Sequence, residues 1–358
     1  MGAEEEYMMQ AIDLAKKGRG SVSPNPLVGC VIVKNNKIIG EGYHQKYGME
    51  HAEINALNNC SESPHDADMY VTLEPCSIFS KTPPCVEQII SNSIKNVFIG
   101  IKDKNPKILG AGIEKLKYNR INVYEGLLEK KCYELNKGFF NWITHKRPWV
   151  IVKVAQSKNG YLGVDSMSQT WITGDDANIY THKLRSKVDA ILIGRNTAEV
   201  DNPSLTVREV IGYNPKRIIV DTFRKLPLTL KIFNDNLSET IVFCSEEKFE
   251  NSQTPFCKYL TVKESNNKLD LFNMLDVLGK EGVTSLLIEG GAEIVKSFMD
   301  NNLIDEIYLY TSNKSLDDAK LLNPLEIGEE DWTITKIKQF ENDQLTVARK
   351  NELCFQEL

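Results

Sequence analysis

Four residues in the first quarter of the chain could do metal chemistry together. His51 and Glu53 stand two positions apart, and Cys76 and Cys85 follow, each directly after a proline. One imidazole and two thiolates make a usual catalytic zinc set, with a fourth position left for water. Zinc lowers the pKa of its bound water toward neutrality, so that hydroxide becomes available. Glu53 is cast as proton shuttle, taking a proton from water and returning it to leaving ammonia. Each residue also has an ordinary alternative. Free cysteines are often buried thiols, a histidine can sit satisfied in a core, and a closed structural zinc site needs a fourth protein ligand that no neighbour obviously supplies. A second feature lies far downstream. The apolar run Ser285-Leu286-Leu287-Ile288 passes into Glu289-Gly290-Gly291-Ala292. Glycines at a strand-to-helix turn let backbone N–H groups approach a phosphate, although a tight turn alone also needs glycine.

The elements that would position these residues alternate between helical and strand patterns, so the fold class is α/β. A helix is expected over 4–18, a strand over 28–33, a hairpin turn at Asn35-Asn36-Lys37 and a return strand over 38–43. His51 opens a helix running to Asn59, the strand 69–73 delivers Pro75-Cys76, and Cys85 opens the next helix, to Asn92. A strand over 97–101, a helix over 112–117 and a long helix from Leu127 to about Thr144 complete this half. Pro148 blocks continuation, which places the boundary between domains 1–147 and 148–358. Strands are expected in the second half over 149–155, 190–193, 217–221, 240–244, 285–288 and 307–311, with a helix over about 293–299.

A chain of 358 residues suits two domains. Hydrophobic residues at 41% and charged residues at 26% give a globular balance. A net charge of −6 and a pI of about 5.6 leave no broad basic field for nucleic acid. No apolar run approaches a membrane span, the N-terminus lacks a secretory core, and Glu6 stands where myristoylation wants Ser or Thr. Eight cysteines in so long a chain do not read as a disulfide framework, and a cytoplasmic location is expected.

The first half matches a variant of the zinc-deaminase signature H-x-E…P-C-x-x-C, with eight residues between the cysteines instead of two. It resembles the deaminase domain of the bifunctional deaminase/reductases of riboflavin biosynthesis. The residues that carry this are Pro24-Asn25-Pro26-Leu27-Val28-Gly29, Gly40-Glu41-Gly42-Tyr43-His44, His51-Ala52-Glu53, the run Tyr70 to Ser77, Lys81-Thr82-Pro83-Pro84-Cys85 and Asp103-Lys104-Asn105-Pro106. The resemblance implies a cytidine-deaminase-like three-layer domain. It implies that Asn25 and His44 contact an aminopyrimidine, and that Lys81, Asp103 and Asn105 handle its ribose phosphate end.

The second half resembles the reductase domain of the same family through Lys153 to Ser157, Trp171 to Gly174, Leu184-Arg185, Asp189 to Gly194, Thr197, Asp201 to Arg208 and Glu289-Gly290-Gly291. A dihydrofolate-reductase-like domain using NADPH is implied, with hydride delivered to the sugar C1. Ala155, Trp171, Thr197, Asp201, Thr222 and the turn Gly291, Ala292, Glu293, Ile294, Val295, Lys296 and Ser297 match cofactor contacts. Arg185, Leu205, Arg208 and Glu289 match substrate contacts, and the two arginines suit a bidentate phosphate clamp. A homodimer through this half is implied as well.

The chain departs from the family pattern at Ile78 (His in the family), Lys104 (Pro), Asn159 (Asp), Tyr161 (a basic residue) and Gln169 (Ser), and 311–316 replaces a Pro-x-x-x-Gly stretch. These departures leave open a second half that binds nucleotide without reducing anything, and a non-catalytic zinc-stabilised module.

Overall fold

The computed structural model describes residues 2–79, 83–164, 171–249 and 257–351. The chain divides into two compact units, Met1–Arg147 and Pro148–Leu358.

In the first unit, α1 (Ala3–Lys16) precedes β1 (Gly29–Lys34) and β2 (Lys37–Tyr43). There follow α2 (Ala52–Asn58), β3 (Asp68–Leu73), α3 (Cys85–Ser91), β4 (Asn96–Ile101), α4 (Ala111–Tyr118), β5 (Asn122–Glu125) and α5 (Glu129–His145). The sheet order is β2-β1-β3-β4-β5. β1 runs antiparallel to β2 and β3, and β3, β4 and β5 are parallel. β1 is buried over all but its last residue, because helices cover the sheet. The helix carrying His51 and Glu53 lies close on β2: a Cβ on Gly42 would come within 2.3 Å of the Ala56 nitrogen. Parallel strands expose their carboxyl ends on one side, where ligand sites of α/β sheets collect. Cys76 follows β3 there, and Asp103 follows β4.

The long helix differs from a regular one. Asn136 has non-helical angles (φ −123°, ψ 15°) and kinks α5. Its amide accepts the Leu27 N–H at 2.8 Å and donates to the Leu27 carbonyl at 2.8 Å. The side chain thus acts as a strand partner for the loop that presents Asn25.

The second unit has strands β6 (Trp149–Gln156), β7 (Tyr161–Gly163), β8 (Ala190–Gly194), β9 (Lys216–Val220), β10 (Thr240–Ser245) and β11 (Cys257–Val262). They continue with β12 (Glu264–Ser265), β13 (Lys268–Leu269), β14 (Ser285–Ile288), β15 (Glu306–Ser312), β16 (Leu321–Leu322), β17 (Trp332–Gln339) and β18 (Asp343–Lys350). Its helices are α6 (Asp175–Arg185), α7 (Arg195–Asp201), α8 (Lys231–Asn234), α9 (Leu271–Lys280) and α10 (Ala292–Asp300). The main sheet runs β11-β10-β9-β8-β14-β6-β15-β18-β17. Its pairs are parallel from β11 through β15, and antiparallel at β15–β18 and β18–β17. Side chains alternate across a strand, so Val150, Val152 and Val154 join one core while Trp149 and Ile151 join another on the opposite face. Among the described residues, no helix is long and apolar enough to cross a membrane.

Candidate active sites

The backbone turns at the ends of β3, α2 and α3 bring three donors to one point. His51 caps α2, Cys85 is the first residue of α3, and Cys76 lies in the loop between. His51 Nδ1 is 3.5 Å from Cys76 Sγ and 3.3 Å from Cys85 Sγ. All three ligand atoms lie within 4.8 Å of one another. Ligands on a tetrahedral zinc stand about 3.6 Å apart for Zn–N and Zn–S bonds of about 2.0 and 2.3 Å, so the donor set fits that ion in both chemistry and spacing. A hydrogen bond from Cys85, with further help from His51, brings the Cys76 thiol down to about 4, while the Cys85 thiol is held up. Glu53, in the first turn of α2, is 3% exposed. Burial pushes its carboxyl up to about 7, against the pull of His51, which suits a group that must both take and give a proton near neutrality.

Beside this cluster lie Asn25 and His44. His44 is buried, with Nδ1 3.0 Å from the Glu50 carbonyl and Nε2 3.1 Å from the Asn25 amide nitrogen. A carbonyl only accepts and an amide nitrogen only donates, so the ring carries its proton on Nδ1. Burial lowers its pKa, which favours the neutral ring. The His44 and His51 rings meet edge-on, 5.4 Å apart.

Asp103 is buried at the end of β4 and accepts the Asn105 N–H at 2.8 Å. Burial raises its carboxyl to about 6. Lys104 extends over the rings of Tyr133 and Phe140, at 4.9 and 5.8 Å. Ile78 is partly exposed, and Lys81 lies outside the described residues.

In the second unit, a cavity of about 1060 Å³ opens at the carboxyl ends of β6, β8, β9 and β14. Ala155, Trp171, Thr197, Asp201 and Thr222 line it, as do Glu289, the segment Gly290–Val295 and Ser297. Gly291 holds a left-handed φ of 82° and precedes α10. Lys296 pairs instead with Asp300 at 2.8 Å. Arg185 does not present a free fork: Nε and Nη2 both reach Glu289 at 2.6 Å, and Nη1 reaches the Thr206 carbonyl at 3.1 Å. Arg208 is exposed, donates to Thr206 Oγ1 at 3.0 Å, and gives its N–H to His182 Nδ1 at 3.1 Å. Leu205 is buried in the same loop, at a φ of 51°.

Two residues here had no role in the sequence reading. Lys153 on β6 lines the cavity, and burial lowers its pKa, against the pull of Glu289. His182 on α6 holds the loop of Arg208. Lys153 stands inside a family-like run and was legible there, whereas no spacing marks His182.

Comparison with known proteins agrees with this geometry. The model of the RibD C-terminal domain matches residues 148–346. That of the cytidine and deoxycytidylate deaminase zinc-binding region matches 1–101. The riboflavin biosynthesis protein RibD of Aquifex aeolicus is 38% identical over 344 residues, covering 95% of each chain. The chain belongs to the RibD family. Its Actinobacillus pleuropneumoniae member is 37% identical over 324 residues, 89% of this chain and 86% of that one. A Thermotoga maritima crystal structure, described as a diaminohydroxyphosphoribosylaminopyrimidine deaminase/5-amino-6-(5-phosphoribosylamino)uracil reductase, superimposes with a TM-score of 0.87 at 32% identity, covering 97% of this chain and 99% of that one. Acinetobacter baumannii RibD gives 0.85 at 31%, covering 98% and 99%. The protein is thus a bifunctional deaminase/reductase of riboflavin biosynthesis, a zinc-binding cytidine-deaminase-like domain followed by a RibD reductase domain that uses NADPH.

Against the RibD pattern, two departures of the second half touch each other. The Asn159 amide donates to the Leu316 carbonyl at 3.1 Å and accepts the Leu316 N–H at 3.0 Å. Lys158 N–H reaches the Lys314 carbonyl at 2.7 Å. None of these residues lines the cavity. Gln169 lies outside the described residues.

Proposed function

We propose that the first unit deaminates 2,5-diamino-6-(5-phosphoribosylamino)pyrimidin-4-one and that the second reduces 5-amino-6-(5-phosphoribosylamino)uracil to its ribityl product. The observation that carries the first step is the convergence of His51, Cys76 and Cys85 beside the buried Glu53. Zinc held by those three would supply the Lewis acidity that makes water a nucleophile near neutral pH. Glu53 takes the proton that water gives up and delivers one to the departing amine, so an amino group is exchanged for oxygen and ammonia leaves. Asn25 and the neutral His44 hold the pyrimidine edge, with His44 fixed in one tautomer by Glu50. Asp103 and Asn105, with Lys81, take the ribose phosphate end.

In the second unit, NADPH would supply the hydride for the sugar C1. The Gly290-Gly291 turn and the start of α10 bind its phosphates through backbone N–H groups. A Cβ on Gly291 would need a backbone angle that side chains disfavour, which supports the reading of that turn as a cradle. Ala155, Trp171, Thr197, Asp201 and Thr222 flank the cofactor. Glu289, anchored by Arg185, faces the substrate with Lys153, and Leu205 and Arg208 close over it.

Mass spectrometry of products from zinc-loaded protein tests both steps. Exchange of one amine for oxygen without NADPH, then gain of two hydrogens with it, is the expected result. Deamination alone would confine activity to the first unit, and no change in either tube would refute the assignment.

A further inference from the structure

The Glu74 carboxylate lies buried one residue before Pro75-Cys76 and belongs to none of the groups so far given a role. Its Oε2 accepts two backbone N–H bonds, from Asp103 at 3.2 Å and from Gly110 at 3.0 Å. Its Oε1 accepts the Gly112 N–H at 3.0 Å. One oxygen therefore pins both ends of the segment 103–110, and the other caps the first turn of α4, whose own N-cap residue, Gly110, supplies no side chain. Inside that segment further hydrogen bonds fix its shape. Asn105 takes its N–H to Asp103 Oδ1 at 2.8 Å, its own Oδ1 accepts the Lys107 N–H at 3.1 Å, and its carbonyl accepts the Ile108 N–H at 2.8 Å. The fit is tight as well as polar: a Cβ on Gly112 would lie 2.2 Å from the Pro75 carbonyl oxygen.

We propose that Glu74 is a positioning residue for the deaminase, which locks the segment bearing Asp103 and Asn105 to the loop bearing Cys76 and so fixes the distance from the ribose phosphate end to the reacting carbon. A buried carboxylate whose lone pairs are filled by backbone donors is a strong, directional staple. No metal contact is needed for this role. The inference rests on the reading of Asp103 and Asn105 as the ribose phosphate end.

Glu74→Gln tests it. The amide keeps one acceptor but turns an NH2 group toward backbone N–H donors, so at least one end of the segment is released. Deaminase kinetics would be measured on the full-length, zinc-loaded chain with the phosphoribosyl substrate and with its dephosphorylated riboside. Zinc content and NADPH oxidation by the same chain serve as controls. The expected result is a KM for the phosphorylated substrate raised about tenfold, the loss of one charge-assisted hydrogen bond, with kcat changed far less. Preference for the phosphorylated form falls by a similar factor, and zinc and reductase turnover are retained. Gly112→Ala, which forces the same two segments apart, gives the same signature. A wild-type enzyme with no preference for the phosphate would sink the reading of Asp103 and Asn105, and the inference with it. A wild-type preference that Glu74→Gln leaves intact would overturn the inference alone. Loss of zinc and of kcat without a change in preference would assign Glu74 a purely structural role and also overturn it.

Discussion

Replacing Arg185 by Met tests how the reductase site holds its buried acid. The Arg185 and Glu289 side chains are 13% and 6% exposed and meet through two hydrogen bonds of 2.6 Å. Burial alone would push the Glu289 carboxyl up; the charge of Arg185, its two bonds and the nearby Lys153 outweigh this and hold it below the usual carboxylate range. A depressed folded value means that the stabilisation is present above the unfolded pKa of about 4.3 and is lost as pH falls through the folded value. In Arg185→Met only the weaker pulls of Lys153 and His182 remain against burial, burial wins, and the folded value rises above the unfolded one. The sign then reverses: the contribution is present at low pH and lost as pH rises. Breaking one partner of a buried pair costs about 3–5 kcal/mol, which lowers the melting temperature of a unit this size by about 6–20 °C. Calorimetry of the full chain at pH 5 and pH 8 measures this, the second-unit transition being the one that a zinc chelator leaves in place. The gap between wild type and variant widens toward pH 8, and Arg185→Met combined with Glu289→Leu recovers much of it. A small, pH-independent change would refute the argument.

His51→Ala, Cys76→Ala or Cys85→Ala each releases zinc and abolishes deamination while reduction of supplied uracil intermediate continues; metal analysis with the two separate assays checks this. Glu53→Gln retains zinc but lowers deaminase kcat about 10²–10⁴-fold, and a loss below tenfold would remove Glu53 from proton transfer. Asn136→Ala deletes both bonds to the Leu27 backbone, destabilises the first unit by about 1–3 kcal/mol and weakens pyrimidine binding through Asn25, seen as a raised KM. Asp103 has a folded pKa of about 6 against about 3.9 unfolded, so its contribution to stability is present below the unfolded value and lost as pH rises through 6. Asp103→Asn therefore stabilises the first unit at pH 8 by up to about 3 kcal/mol and leaves it unchanged at pH 4, while impairing deamination; equal melting shifts at both pH values would contradict this.

The zinc cluster was legible because its residue types are rare and each stands at the start of a helix or the end of a strand. The central strands were legible for a similar reason: β8 and β14 are short apolar runs between turn residues. What escaped notice was shaped by tertiary contacts. β17 shows only Trp332 fully to the core, and the rest of its face is Thr, Lys and exposed Ile, so an edge strand leaves no alternation to read. α9 carries a readable pattern, with Leu271, Met274, Leu275 and Leu278 on one buried face and Asp270 capping it through the Asn273 N–H, although no helix is expected there from the motifs. The bidentate use of Arg185 could not be read at all. Its partner lies 104 positions away, and an arginine and a glutamate that each match a substrate contact do not announce that they contact each other.

The departures from the family pattern illustrate the same point from the other side. Taken singly, Asn159 in place of an acid and a rebuilt segment over 311–316 each weaken the reductase reading. In three dimensions they are one change. An aspartate could accept the Leu316 N–H but could not donate to the Leu316 carbonyl, whereas the Asn159 amide does both. Ser157 Oγ adds a third bond to this amide, the second at its oxygen, at 2.8 Å. The Leu316 backbone offers both a carbonyl and an N–H to this side chain, and the Asn159 amide meets both. Since neither Asn159 nor Leu316 lines the cavity of Lys153, Glu289 and Gly291, the bonds that Asn159 makes shape a turn outside that cavity and leave its lining untouched.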